Sequence, residues 1–120
     1  MADNVHHGID YIELTVTDLA ATKAFYGAAF GWRFTDYGPD YAGFSTPGRD
    51  TEGGGLNATP GGATGGSPLV LLYSDDLDAT LAAVAEAGGE VRVQPYDFPG
   101  GRRFHFADPS GNVLGVWQSA

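Results

Sequence analysis

The sequence predicts an α+β fold of two tandem βαβββ modules whose sheets curl side by side into one open cup, with the helices outside. Three observations carry this. Residues 12 to 34 recur at 70 to 92 with an offset of 58, almost half of the 120 residues. The anchor is Asp18-Leu19-Ala20-Ala21-Thr22 against Asp76-Leu77-Asp78-Ala79-Thr80, and Leu14/Leu72, Ala24/Ala82, Ala29/Ala87 and Gly31/Gly89 share its register. Two copies of one supersecondary unit are the economical reading. Each copy also runs strand, helix, then strands by its apolar periodicity. Between the copies, residues 59–67 (TPGGATGGS) have the composition of a linker.

In the first module, residues 9–58, Ile12, Leu14 and Val16 alternate with Tyr11, Glu13 and Thr15, the period of a half-buried strand. Thr17 or Asp18 offers an N-cap, and Leu19 to Phe30 reads as an amphipathic helix. Leu19, Phe25, Ala29 and Phe30 form its predicted buried stripe, and Gly31 suits a left-handed C-cap. Trp32 to Tyr37 and Tyr41 to Thr46 are predicted strands around a Gly38-Pro39-Asp40 turn, and Gly54 to Ala58 a fourth.

The second module, residues 68–118, repeats the order. Leu69 to Tyr73 is a strand, and Leu77 to Ala87 a helix capped by Asp75 or Asp76 and closed by Gly88-Gly89. Val91 to Tyr96, Arg103 to Ala107 and Val113 to Trp117 complete the strands, the last following an Asp108-Pro109-Ser110-Gly111 turn. Extending the offset of 58 without a gap pairs Gly53 with Gly111 and Leu56 with Leu114.

Composition narrows the function classes. The length suits one domain. No stretch approaches the roughly 20 apolar residues of a membrane helix, and Met1-Ala2-Asp3-Asn4 lacks a signal-peptide pattern. Without cysteine there is no disulfide framework, thiolate nucleophile or Cys-ligated metal. A cytoplasmic protein is the resulting expectation. A net charge of −9 without a Lys/Arg cluster argues against nucleic acid as a partner.

Three segments together resemble the vicinal oxygen chelate superfamily, which includes glyoxalase I, bleomycin-resistance proteins and extradiol dioxygenases. They are IDYIELTVTDLAATKAFYxxxFGW at 9–32, DDLDATLAAVAEAGG at 75–89 and FADPSGNVLGVWQ at 106–118. The resemblance covers nearly the whole chain and implies the cup fold and a homodimer. In metal-dependent members, His, Glu or Gln on the first and last strand of each module hold a divalent ion whose open positions chelate substrate oxygens. The resemblance places the first of these positions at Tyr11 and the last at Gly115, and the offset of 58 adds Asn57 and Leu69. That set falls short of the three or so donor side chains a transition metal needs, so no metal or other cofactor is expected.

Alternation puts Tyr11, Glu13, Thr15, Asn57, Leu69, Leu71, Tyr73, Val113, Gly115 and Trp117 on the inward faces. Apolar walls with a few polar groups suit a small-molecule site, and Tyr11, Glu13, Asn57, Tyr73 and Trp117 are the predicted ligand-binding residues. Gly55 and Gly115 leave space within the cup. Trp32, Tyr37, Tyr41 and Phe98 are placed to rim it. Glu13 is the candidate catalytic base, or an anchor for a cationic ligand or for Arg103. Arg102-Arg103, read on a loop, meets an anionic substrate or solvates a hairpin. His6-His7 sits in a terminal stretch that either frays or packs beside the first strand. A His105/Glu13 metal pair needs an unfavourable side-chain parity. Three readings stay open: a metal-independent small-molecule binding protein, a metal-dependent lyase, isomerase or dioxygenase, and a cofactor-free enzyme using Glu13 or Tyr11.

Overall fold

The structure, a computed structural model, describes residues 4–59 and 67–120. Of the expected linker, residues 60–66 lie outside the described residues. The element order is β1 (Ile9–Thr15), α1 (Leu19–Phe30), β2 (Arg33–Asp36), β3 (Tyr41–Ser45) and β4 (Gly54–Asn57), then β5 (Leu69–Tyr73), α2 (Leu77–Glu86), β6 (Glu90–Phe98), β7 (Gly101–Ala107) and β8 (Val113–Ser119). This is βαβββ twice. The eight strands form one sheet in the order β2-β3-β4-β1-β5-β8-β7-β6. The modules join at its centre, where β1 and β5 run antiparallel with Tyr11 opposite Leu71 and Glu13 opposite Leu69. No helix among the described residues is long and apolar enough to cross a membrane.

The two helices start alike for one chemical reason. Asp18 and Asp76 are N-caps whose carboxylates accept from Ala21 N at 3.0 Å and Ala79 N at 3.1 Å. Each satisfies a backbone donor that the first turn leaves open. Gly31 ends α1 in the left-handed region at φ 74°, as a C-cap glycine should. The Asp-Pro turn before β8 closes on Asp108, whose Oδ1 accepts from the backbone of Ser110 and Asn112, each at 2.9 Å.

Packing differs between the modules. α2 covers a core of Leu77, Phe104 and Val116 with Leu72, Leu81, Val84 and Phe106 around it. α1 buries no residue fully, and the predicted stripe is not its buried face: Phe25 and Phe30 are each 57% exposed. Tyr26 makes the contact with the sheet instead, stacking at 4.4 Å on Trp32, which stacks at 4.3 Å on the buried Phe44. The α1 sequence is apolar or small nearly all round, so periodicity does not single out one face. The same stack removes Trp32 from the expected rim and puts it on the helix side of the sheet.

The offset of 58 holds for β1/β5 and for the helix starts, Asp18 with Asp76, but not for the helix ends or the later strands. At the helix ends, α2 is two residues shorter, and the left-handed glycine after it is Gly88 rather than the expected Gly89. Glu13 faces Gly55 across β1/β4, whereas Leu71 faces Gly115 across β5/β8. The structural equivalent of Gly115 is therefore Gly55, and that of Asn57 is Trp117. Across β3/β4 and β7/β8, Tyr41 likewise corresponds to Arg103 and Gly43 to His105. The gapless match slips because β6 is longer than β2 and pairs with β7 through two register shifts.

Candidate functional site

The concave face holds a cavity of about 810 Å³ bounded by both modules. Four of the five predicted ligand residues, Tyr11, Glu13, Asn57 and Trp117, line it together with Leu71. Tyr73 does not line it. It is 6% exposed, lies edge-on to Trp117 with ring centres 5.0 Å apart, and shares a 2.7 Å hydrogen bond with Ser119 Oγ. Trp117 is fixed from a second side, because its indole Nε1 donates to Asp10 at 2.9 Å. A bulge between Ile9 and Tyr11 in β1 adjoins that contact.

Glu13 forms the floor and is 1% exposed. It accepts from Arg103 Nη1 at 3.0 Å and Nη2 at 3.5 Å, from Tyr41 at 3.2 Å and from Asn57 Nδ2 at 3.2 Å. Arg103 is 8% exposed and donates Nε to His105 Nε2 at 3.1 Å, which places the imidazole proton on Nδ1. Its guanidinium also lies 5.8 Å from the ring centre of Tyr96 and 5.9 Å from that of Phe98. Burial pulls the Arg103 pKa down, but the hydrogen bond and charge of Glu13 more than offset this and leave it raised. Arg103 lies in β7, in keeping with the strand expected from Arg103 to Ala107 and not with the loop reading of the Arg102-Arg103 pair. It is the protein donor expected, as one alternative, for Glu13. Arg102, also in β7, is a surface residue near Asp78 and Asp97. His105 has the same parity as Arg103 and joins the Glu13 network through it.

A second carboxylate reaches the cup from outside any strand. Glu52, in the loop before β4, accepts from Tyr11 at 2.8 Å and from Tyr37 at 2.7 Å. It sits over Gly43, where a Cβ would run into its carboxylate. Burial first, then the neighbouring Tyr41 and Glu52, raises the Tyr11 pKa far above the ordinary tyrosine range. Burial and then Glu13 raise that of Tyr41, and the bond to Glu52 raises that of Tyr37. Glu52 and Tyr96 are absent from the sequence-based site. The available signal for Glu52 was Gly43, a glycine inside a strand that marks a close approach.

The four family metal positions become Tyr11, Gly55, Leu69 and Gly115 once the register is corrected. They do not fit a divalent metal. The Tyr11 phenol is engaged by Glu52, Leu69 is fully buried, and glycine offers no side-chain donor. Nor do the glycines leave room. A Cβ on Gly55 would collide with the Tyr41 phenol, and one on Gly115 with Leu71. Among the described residues, no group of three or more His, Asp or Glu is placed to hold an ion. His6 and His7 lie elsewhere, packed against the second module: His7 Nε2 bonds Thr80 Oγ1 at 3.0 Å, and His6 Nδ1 accepts from Asp75 N at 2.8 Å.

A protein of Mycobacterium tuberculosis named as a glyoxylase, CFP32, is 32% identical over 118 residues, covering 92% of this chain and 45% of its own. The anthracycline biosynthesis protein DnrV of Streptomyces peucetius is 34% identical over 128 residues, covering 90% of this chain and 46% of its own. The chain thus spans about half the length of these relatives. The crystal structure of the Mn(II)-bound glyoxalase from Novosphingobium aromaticivorans superposes with a TM-score of 0.66 at 28% identity, over 94% of this chain and 39% of that one. The model of the Glyoxalase/Bleomycin resistance protein/Dioxygenase superfamily matches residues 8–116. With nearly the whole chain matched and the paired βαβββ cup in place, the protein belongs to that superfamily.

Proposed function

We propose that the protein binds a small, partly aromatic molecule in the cup, without a metal at the four family positions. The observation that carries this is the cavity itself, whose volume falls in the range of small-molecule sites of about 300–1,000 Å³. Its walls are the aromatic rings of Trp117, Phe98, Tyr96 and Tyr41, and its few polar groups are held in fixed hydrogen bonds. A relative named for anthracycline biosynthesis supports a fused-ring aromatic ligand. Glu13 serves this site as an anchor of the floor rather than as a base, because four donors already converge on its two oxygens. We also propose that two copies associate. The exposed rings of Phe25 and Phe30, 6.2 Å apart on the uncovered side of α1, give the apolar surface for it.

Fluorescence titration with fused-ring dyes, on the wild type and Trp117→Ala, tests the binding reading. Loss of the ring should weaken binding by about 1–3 kcal/mol, as for a buried aromatic anchor. Unchanged affinity would place the ligand elsewhere. Metal analysis of the purified protein should find less than one transition-metal ion per chain, and a stoichiometric ion held by Tyr11, Gly55, Leu69 or Gly115 would refute the metal-independent reading.

A further inference from the structure

Among the described residues, the cup is lined by two carboxylates and one guanidinium, and the guanidinium is spent. Arg103 binds Glu13 through both terminal nitrogens and His105 through Nε, and it is almost wholly buried. Glu52 has no cationic partner within 4.0 Å among the described residues; its two hydrogen bonds come from neutral phenols. The phenols divide evenly, with Tyr11 on Oε2 and Tyr37 on Oε1. A carboxylate has about four acceptor positions, so each oxygen keeps one for a ligand. Tyr37 and Tyr41 present rings beside it, 6.5 Å between centres, and aromatic faces attract cations. The apolar end of the same cavity is formed by Phe98 and Trp117, 6.1 Å apart.

We propose that Glu52 selects the charge of the ligand: the cup takes an organic cation, its protonated nitrogen against Glu52 and its planar apolar part against Phe98 and Trp117, and it rejects anions. This rests on the cup being the ligand site and adds the ligand's charge and the residue that reads it. Gly43 is part of the device, since any side chain there would displace the Glu52 carboxylate.

The test uses three planar three-ring probes of similar size: proflavine, which is cationic, acridone, which is neutral, and anthracene carboxylate, which is anionic. The wild type should bind them in that order of affinity. Glu52→Gln should weaken proflavine by about tenfold or more, the loss of one charge-assisted contact, and leave acridone within about twofold. Added salt should weaken proflavine and not acridone on the wild type, a readout independent of whether the variant folds. The net charge of −9 alone also favours cations, so the proflavine-to-acridone ratio in Glu52→Gln is decisive. An unchanged ratio, or equal wild-type binding of the two dyes, overturns the role of Glu52. The cup reading then stands if Trp117→Ala still weakens both. Failure of all three probes to bind overturns both proposals.

Discussion

Arg103 of β7 donates Nη1 to Glu13 of β1 across 3.0 Å, joining the second module's outer half to the first module's central strand. Both side chains are buried, so neither charge tolerates losing the other. Arg103→Ala should destabilise the fold by about 3–5 kcal/mol, the usual cost of stranding one member of a buried pair. Replacing both together, as Glu13→Leu with Arg103→Met, should recover a large part of that loss. Urea denaturation of the wild type and the two variants measures it. Equal stability of wild type and Arg103→Ala would show that the pair does not hold the seam.

Gly115 lies where metal-dependent relatives are expected to carry a ligand, but Leu71 and His105 crowd the space a side chain would take. Gly115→Glu should therefore cost about 1–3 kcal/mol, as overpacking does, and should create no metal affinity. Thermal denaturation with and without manganese or zinc reads both effects. A Gly115→Glu protein of normal stability that gains several degrees with metal would contradict the filled-site account.

Tyr11 and Tyr41 give the fold a dependence on alkaline pH. Their pKa values are raised in the folded state, first by burial. Below the ordinary tyrosine value of about 10 both states hold these protons and the two phenols add no pH dependence. Above it the unfolded chain releases protons that the folded chain retains, so stability falls as pH rises. Urea midpoints should drop from about pH 10 upward, and less steeply in Tyr11→Phe and Tyr41→Phe. A flat profile in the wild type would show that these phenols are not sealed in the floor.

The parts of this fold set by local chemistry were legible in the sequence. Asp18, Asp76 and Gly31 state where the helices start and stop, and the alternation of Tyr11 with Ile12 states which face of β1 looks inward. The parts set by pairing were not. A longer β6 shifts Gly115 onto Gly55 rather than Asn57, and no residue type announces that change of register. The aromatic-rich α1 hides which ring packs inward, so Tyr26 with Trp32 does what Phe25 and Phe30 were expected to do. Glu52 lies in a loop where alternation has no hold. Its position follows only from the gap above Gly43 and the two phenols that reach it.

Self-association through α1 has a simple readout. Light scattering at tens of micromolar should give the mass of two chains, and Phe25→Ser with Phe30→Ser should return one. A monomer mass for the wild type would count against the proposed dimer. The same dimer mass in the double variant would move the interface off α1.

The two tryptophans offer the most direct test that the cup is the ligand site, since Trp117 lines the cavity and Trp32 stacks on the opposite face of the sheet. Their indole N–H signals in a nitrogen–proton correlation spectrum can be told apart with Trp32→Phe. Adding proflavine to the full chain should shift the Trp117 signal, whose N–H donates to Asp10 at 2.9 Å, and leave Trp32 in place. A shift of Trp32 alone, or of neither at saturating dye, would contradict binding in the cup.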